Sequence, residues 1–244
     1  MADTRRNFHH ELELIRDDIV RMASMVTEAL AGATGAFLDG DLAAADRIRR
    51  GDPAINALAL DVEERCYQQL ALQQPMASDL RSLTAAIRLC AEIERSGDLV
   101  VNIIKGFRRI YGVPIDPRLR GLISRLSEEA HRLFRLAIDS YAERDAGLAD
   151  ALDDMDDTID DLHVDYIESI FVVRESGELT LQVAVQLALI GRFYERIADH
   201  AVNIGERVYQ MVTGDLPDHM LPVTASGDGS VDADGQAWDG TGSS

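Results

Sequence analysis

The sequence predicts an all-α protein made of two tandem, internally duplicated antiparallel three-helix bundles, six long helices in all, with a disordered acidic C-terminal tail. Three observations predict it. Apolar residues recur at alternating steps of three and four, the period of helices that bury one face. The core must be built mainly from Ala, Leu, Ile and Val, because the chain is 46% hydrophobic and 5% aromatic with only 6 Pro, a composition suited to helix-on-helix packing. The second half repeats the first, and 244 residues suit two ordinary domains.

Breakers set the elements in order: Gly40 and Asp41, Gln74 and Pro75, Gly112 to Pro117, Arg144 and Asp145, then Ser176 and Gly177. Between them fit helices at 5–38, 42–73, 76–111, 117–143, 146–175 and 179–213. At 1.5 Å per residue such helices run to roughly 40 to 50 Å, and their short connections make neighbours antiparallel. The expected units are 1–112, 113–214 and a tail at 215–244.

The last helix carries the clearest pattern. Val183, Leu187, Ile190, Tyr194, Ile197, Ala201, Ile204, Val208 and Met211 form a seam of the coiled-coil type. A shift of 101 positions back takes it, after Ser82, to Ala86, Leu89, Ile93, Ser96, Val100, Ile103, Phe107 and Ile110. The same shift superposes Glu94, Arg95, Asp98, Val101 and Asn102 on Glu195, Arg196, Asp199, Val202 and Asn203, matches that packing alone does not demand. A shift of 104 relates Asp52, Ile55, Leu58, Asp61 and Glu64 to Asp156, Ile159, Leu162, Asp165 and Glu168. Tandem duplication accounts for both. From about Pro217 onward Gly, Ser, Asp and Thr replace periodic apolar residues and no Lys or Arg appears, the mark of a disordered tail; Trp238 lies within it.

A net charge of -19 with a single Lys, Lys105, argues against a nucleic-acid partner and against a bare anionic membrane surface. Cys66 and Cys90 sit in apolar helical stretches and read as small buried side chains. No run approaches the roughly 20 apolar residues of a membrane span, and the N-terminus lacks a signal-peptide core, so a cytoplasmic protein without membrane insertion is expected.

Four residues apart on a helix means one face, so Glu94 projects beside Asp98 and Glu195 beside Asp199, well away from their seams on a face that looks outward. The second and fifth helices carry related pairs, Asp52 with Asn56 and Asp156 with Asp160. For one such pair a solvated surface is the simpler reading. Repetition of like charges that cost a helix about 0.2 to 0.5 kcal/mol each invites a compensating cation. Oxygen-rich sites suit Mg, Ca, Mn or Fe. With Asn56 in place of Asp160, the first site holds one charge fewer and should bind more weakly. His163 could add a nitrogen ligand or accept a phosphoryl group, although a surface histidine without a role is the plainer reading. Two Glu-x-x-His motifs, a Gly-rich phosphate loop and a nucleophile triad are all missing, so no catalytic residues are assigned.

Three segments carry a resemblance: ALQQPMASDLR at 71–81, EIERSGDLVVNI at 92–103 and YERIADHAVNI at 194–204. With the six-helix layout they make residues 5 to 213 closely similar to the PhoU family of phosphate-uptake regulators. The resemblance implies a dimeric cytoplasmic protein, not an enzyme, that represses the phosphate-starvation response when phosphate is plentiful. Its implied partners are the phosphate ABC transporter, through its ATPase, and a sensor histidine kinase. It also implies iron or zinc clusters held by acidic pairs, matched here by Glu94 with Asp98, Glu195 with Asp199 and Asp156 with Asp160, and less fully by Asp52 with Asn56. A metal-dependent enzyme and a purely structural bundle are the alternative classes. Gly97 within a helix costs about 1 kcal/mol against Ala, which a close helix or metal approach would explain.

Overall fold

The structure, a computed structural model, describes residues 2–177 and 179–217. Its helices are α1 (Ala2–Asp39), α2 (Leu42–Gln73), α3 (Ser78–Arg109), α4 (Pro117–Glu143), α5 (Ala146–Asp150), α6 (Leu152–Glu175) and α7 (Leu181–Thr213). Among the described residues there is no strand. The six expected long helices are present within a few residues of their expected ends. Local chemistry sets those ends: Asp41, Asp145 and Thr180 accept hydrogen bonds from the backbone N–H of Ala44, Leu148 and Val183, and Asp116 accepts from Arg118 and Leu119. Each satisfies a donor that a helix start leaves free. Pro53 lies inside α2 without ending it.

The fifth expected helix differs, because it breaks at Ala151 into the single turn α5 and the longer α6. No breaker marks the place. The reason lies across the interface at Gly205, where an added Cβ would stand 2.7 Å from the Ala149 carbonyl oxygen and 2.6 Å from Leu152 Cδ1. The chain bends there to seat Ala149 and Leu152 against bare α7 backbone, and both are buried.

Helices α1, α2 and α3 pack on one another, as do α4, α6 and α7, with α5 against α7 and α4. The two groups share one continuous core, because α3 lies along α7 and α1 along α4. Every member of the α7 seam is buried, and so are the α3 equivalents from Ala86 to Ile110. Arg81 Nε donates to the Met211 carbonyl at 3.1 Å, Glu92 meets His200 at 2.5 Å, and Arg109 donates to Gln186 at 3.2 Å. These contacts set α3 and α7 antiparallel. A buried hydroxyl cluster also crosses between the groups, with Thr34 Oγ1 of α1 at 2.8 Å from both Ser127 Oγ of α4 and the Tyr194 hydroxyl of α7. Cys66 and Cys90 are buried free thiols, and burial pushes both up to about 12. The acidic tail and Trp238 lie beyond residue 217, outside the described residues.

Candidate metal centres

The eight acidic and amide residues singled out by spacing fall into two grooves. Asp52 on α2 faces Glu94 and Asp98 on α3, with Asn56 one turn along α2, while Asp156 and Asp160 on α6 face Asp199 on α7, with Glu195 one turn along α7. Electrostatic coupling across the helix pairs shows the facing. Burial first and then the Asp98 charge push the Asp52 carboxyl above its ordinary value, with Lys105 opposing. Burial, Asp98 and Asp52 do the same to Glu94. In the second groove burial, Asp160 and Asp199 push Asp156 up to about 7. Asp199 is also raised, by burial and by Asp160, against the opposing charges of Arg192 and His200. Carboxylates crowded until one holds its proton near neutrality are a site that a cation would relieve.

The outward face expected for these rows requires correction. Glu195 is 7% exposed and Glu94, Asp52, Asn56, Asp156 and Asp199 are part-buried, because α6 covers the outer side of α7 and α2 covers that of α3. Asp98 and Asp160 remain exposed, at the groove rims. Among the described residues, buried oxygens without a hydrogen-bond partner include Asp52 Oδ1, Asn56 Oδ1, Asp156 Oδ1 and Glu195 Oε2. A buried acceptor left unmade costs about 1 to 3 kcal/mol. Four of the eight predicted ligands thus carry an atom whose partner is missing, the chemistry that fits an oxygen-seeking cation.

His163 is not a surface residue. It is part-buried between α6 and α7, its Nε2 is buried without a partner, and burial followed by the Arg192 charge lowers its pKa, which keeps the imidazole neutral and able to ligate. It stands one turn from Asp160 and closes that end of the second groove.

The shell is not closed as the side chains stand: among the described residues no three His, Cys, Asp or Glu groups are arranged to hold a metal ion. In the second groove the positive charge nearest these carboxylates is Arg192, which forms an ion pair with Glu195 and lowers the Asp199 pKa. Spacing did not single out Arg192. The only signal for it is its position three residues before Glu195, the separation of a helical ion pair.

Gly97 and Gly191 floor the two grooves differently. A Cβ at Gly97 would meet Asp52 Oδ1, Ile55 Cδ1 and Val26 Cγ2 at 3.7 Å each, ordinary contact, whereas one at Gly191 would lie 2.6 Å from the Tyr166 ring. Tyr166 is fully buried, and its hydroxyl donates to the Leu187 carbonyl at 3.0 Å. Close approach therefore demands glycine at 191 and not at 97, where the duplicate position is Ala198.

Beside the grooves, between α3 and α7, Glu92 accepts from Asn203 Nδ2 at 3.3 Å and pairs with His200 Nδ1 at 2.5 Å. Burial raises the Glu92 pKa, but the His200 and Asn203 bonds with Arg95 outweigh it and hold the carboxyl below its usual range. Asn203 is one of the residues repeated in both halves; its partner Glu92 was not legible from spacing.

Comparison with known proteins agrees with this architecture. A family model described as the PhoU domain matches twice, at residues 19–106 and 123–208. The phosphate-specific transport system accessory protein PhoU homolog 1 of Mycobacterium tuberculosis is 37% identical over 214 residues, 87% of this chain and 96% of that protein. The PhoU homolog of Rhizobium meliloti is 29% identical over 215 residues, 88% of this chain and 91% of that protein. Crystal structures of PhoU from Pseudomonas aeruginosa and of the phosphate transport system regulatory protein PhoU from Streptococcus pneumoniae superpose with TM-scores of 0.80 and 0.79, at 27% and 25% identity. They cover 85% and 86% of this chain and 100% and 99% of their own.

Proposed function

The chain belongs to the PhoU family, and on that premise we propose that it is an accessory protein of phosphate-specific transport that represses the phosphate-starvation response when phosphate is plentiful. The observation that carries this reading is similarity along the whole length of accessory proteins, 37% identity across 96% of the mycobacterial relative. The role is regulatory and not catalytic. Its partners are the transporter ATPase and a sensor histidine kinase, met in the cytoplasm by a homodimer. No described helix is long and apolar enough to cross a membrane.

Within this role the two grooves hold metal. Asp156, Asp160, Glu195 and Asp199, with His163 at the end, would ligate one centre, and Asp52, Asn56, Glu94 and Asp98 the other. The mixed oxygen and nitrogen set of the second suits iron or zinc, and the all-oxygen set of the first also suits Mg or Mn. A bound cation would supply charge neutralisation and bridge α6 to α7. The chain's own contribution is to keep His163 neutral, to hold Asp156 and Glu195 in place by burial, and to offer Arg192 as the charge that leaves when metal enters.

The test of the regulatory reading is deletion of the encoding gene. Phosphate-starvation genes should then stay switched on in phosphate-rich medium and return to repression when the gene is restored. Normal repression in the deletion strain, in a background where the protein is ordinarily made, rejects the assignment.

A further inference from the structure

The groove between α3 and α7 carries, beyond the Glu92 and His200 contact, a feature of opposite sign to the rest of the molecule. A cleft of about 190 Å³ is lined by Arg81, Thr84, Arg88, Arg207 and Gln210, with no acidic residue in its wall among the described residues. The chain has 43 acidic residues against 24 Lys and Arg, so three guanidinium groups around one opening are conspicuous. Several arginines elsewhere meet carboxylates, as Arg65 meets Asp18, Arg108 meets Asp46 and Arg132 meets Glu129, while others stand singly in solvent; what sets the cleft apart is that three share one opening. Among the described residues Arg81, Arg88 and Arg207 form no ion pair. Glu92, one turn beyond Arg88, is already committed to His200, Asn203 and Arg95.

A structural role accounts for one of the three. Arg81 Nε donates to the Met211 carbonyl near the C-terminal end of α7, and the guanidinium carbon stands 3.5 Å from where a Cβ would sit on Gly214. Cations are favoured at that end of a helix. The cap itself is closed by the Gly214 N–H to the Gln210 carbonyl, so α7 has no need of Arg88 or Arg207. Held by its Nε, Arg81 has a fixed orientation, and its terminal nitrogens have no hydrogen-bond partner among the described residues. Guanidinium groups lining one opening repel one another, an anion between them relieves that repulsion, and their forked donors match phosphate oxygens in pairs.

We propose that this cleft binds a small multivalent oxyanion of the phosphate class, gripped by Arg81, Arg88 and Arg207 with the Gln210 amide as a neutral donor. Volume narrows the class. Pockets for drug-sized ligands run to roughly 300 to 1,000 Å³, so this one takes inorganic phosphate or pyrophosphate and not a nucleotide. The Thr84 hydroxyl donates to the Leu80 or Arg81 carbonyl, each at 3.0 Å, and so lines the cleft without supplying a donor. The site lies on the α3 and α7 groove and shares no ligand with the acidic grooves, so it stands or falls independently of the metal and regulatory readings.

The test is calorimetric titration of the full chain, acidic tail included, with inorganic phosphate and with pyrophosphate. A chelator and low salt keep metal out of the acidic grooves and screening weak. The expected result is saturable binding, tighter for pyrophosphate, weakened by added salt, and at least tenfold weaker in Arg88→Gln and in Arg207→Gln. Arg135→Gln on α4 should bind like the unaltered chain, and circular dichroism should show all three variants folded. Absence of saturable binding up to millimolar anion overturns the proposal, which is also how occupation of the cleft by the chain's own tail carboxylates would register. Binding that both cleft variants retain unchanged overturns it as well.

Discussion

Replacing Asp156 by Asn removes a titrating group from the second groove while keeping its shape. In the metal-free protein the Asp156 carboxyl titrates at about 7 against an ordinary 3.8. The folded state therefore holds a proton that the unfolded state releases. Below about pH 4 both states are neutral there, and the favourable difference is fully present. As pH rises through the window up to about 7 the unfolded state gains from ionising and the folded state does not, so stability falls. A shift of about three units at 1.36 kcal/mol each corresponds to roughly 4 kcal/mol. Asp156 is only half-buried, and solvent screening reduces this to roughly 1 to 2 kcal/mol. Asp156→Asn should thus stabilise the metal-free chain by about 1 to 2 kcal/mol at pH 8 and leave it nearly unchanged at pH 4. Urea midpoints at pH 4, 6 and 8 in chelator, with the slope constant between proteins, measure this. An equal shift at pH 4 and 8, or a destabilised variant at pH 8, would refute the account of the groove as a cluster of unrelieved charge.

The same groove should lose most of its metal, measured by mass spectrometry, when Glu195→Gln and Asp199→Asn are combined, and binding to the native protein should weaken as pH falls below 7 because ligands must be deprotonated. Amides are used because Glu195 is buried and truncation would open a cavity. The second groove should retain metal longer under chelator than the first, where Asn56 replaces a charge; equal loss from both would contradict the charge argument. Gly191→Ala should destabilise by about 1 to 3 kcal/mol, since a Cβ 2.6 Å from the Tyr166 ring must displace it. Gly97→Ala should stabilise by up to about 1 kcal/mol, and thermal unfolding of the two variants side by side separates the cases.

Helix positions were legible because each end is written in local chemistry, as at Asp41, Asp116 and Thr180. The break at Ala151 was not, because its cause is Gly205, more than fifty residues away and bare for reasons of packing. Spacing paired residues along single helices, and the packing of α2 on α3 and of α6 on α7 brings Asp52 to Asp98 and Asp156 to Asp199. Spacing misjudged their exposure. A helical wheel describes one helix against its main seam and cannot know that α6 will lie over the far side of α7. His163 and Arg192 were obscured for the same reason, as residues whose meaning depends on the helix opposite. The arginine cleft was hidden more deeply still, because it joins Arg81 and Arg88 of one half to Arg207 of the other under a net charge of -19.

The antiparallel register of α3 and α7 relates the two halves by symmetry. The contacts of Arg81 with Met211, Glu92 with His200 and Arg109 with Gln186 place Ser96 and Gly97 opposite Ile197 and Ala198, which are their own counterparts under the 101-residue repeat. A helix that meets its duplicate at the duplicated position lies on a pseudo-twofold axis, the geometry of an isologous pair. A lone three-helix unit of this kind would leave the face of α3 uncovered, a strip that only a second unit could bury. The present chain has the form of such a pair joined end to end, with the contact between the two units forming part of one continuous core. Joined in one chain, the two copies need not be identical. At the axis one copy is now Ser-Gly and the other Ile-Ala, and away from it one groove keeps four carboxylates while the other has exchanged one for an amide.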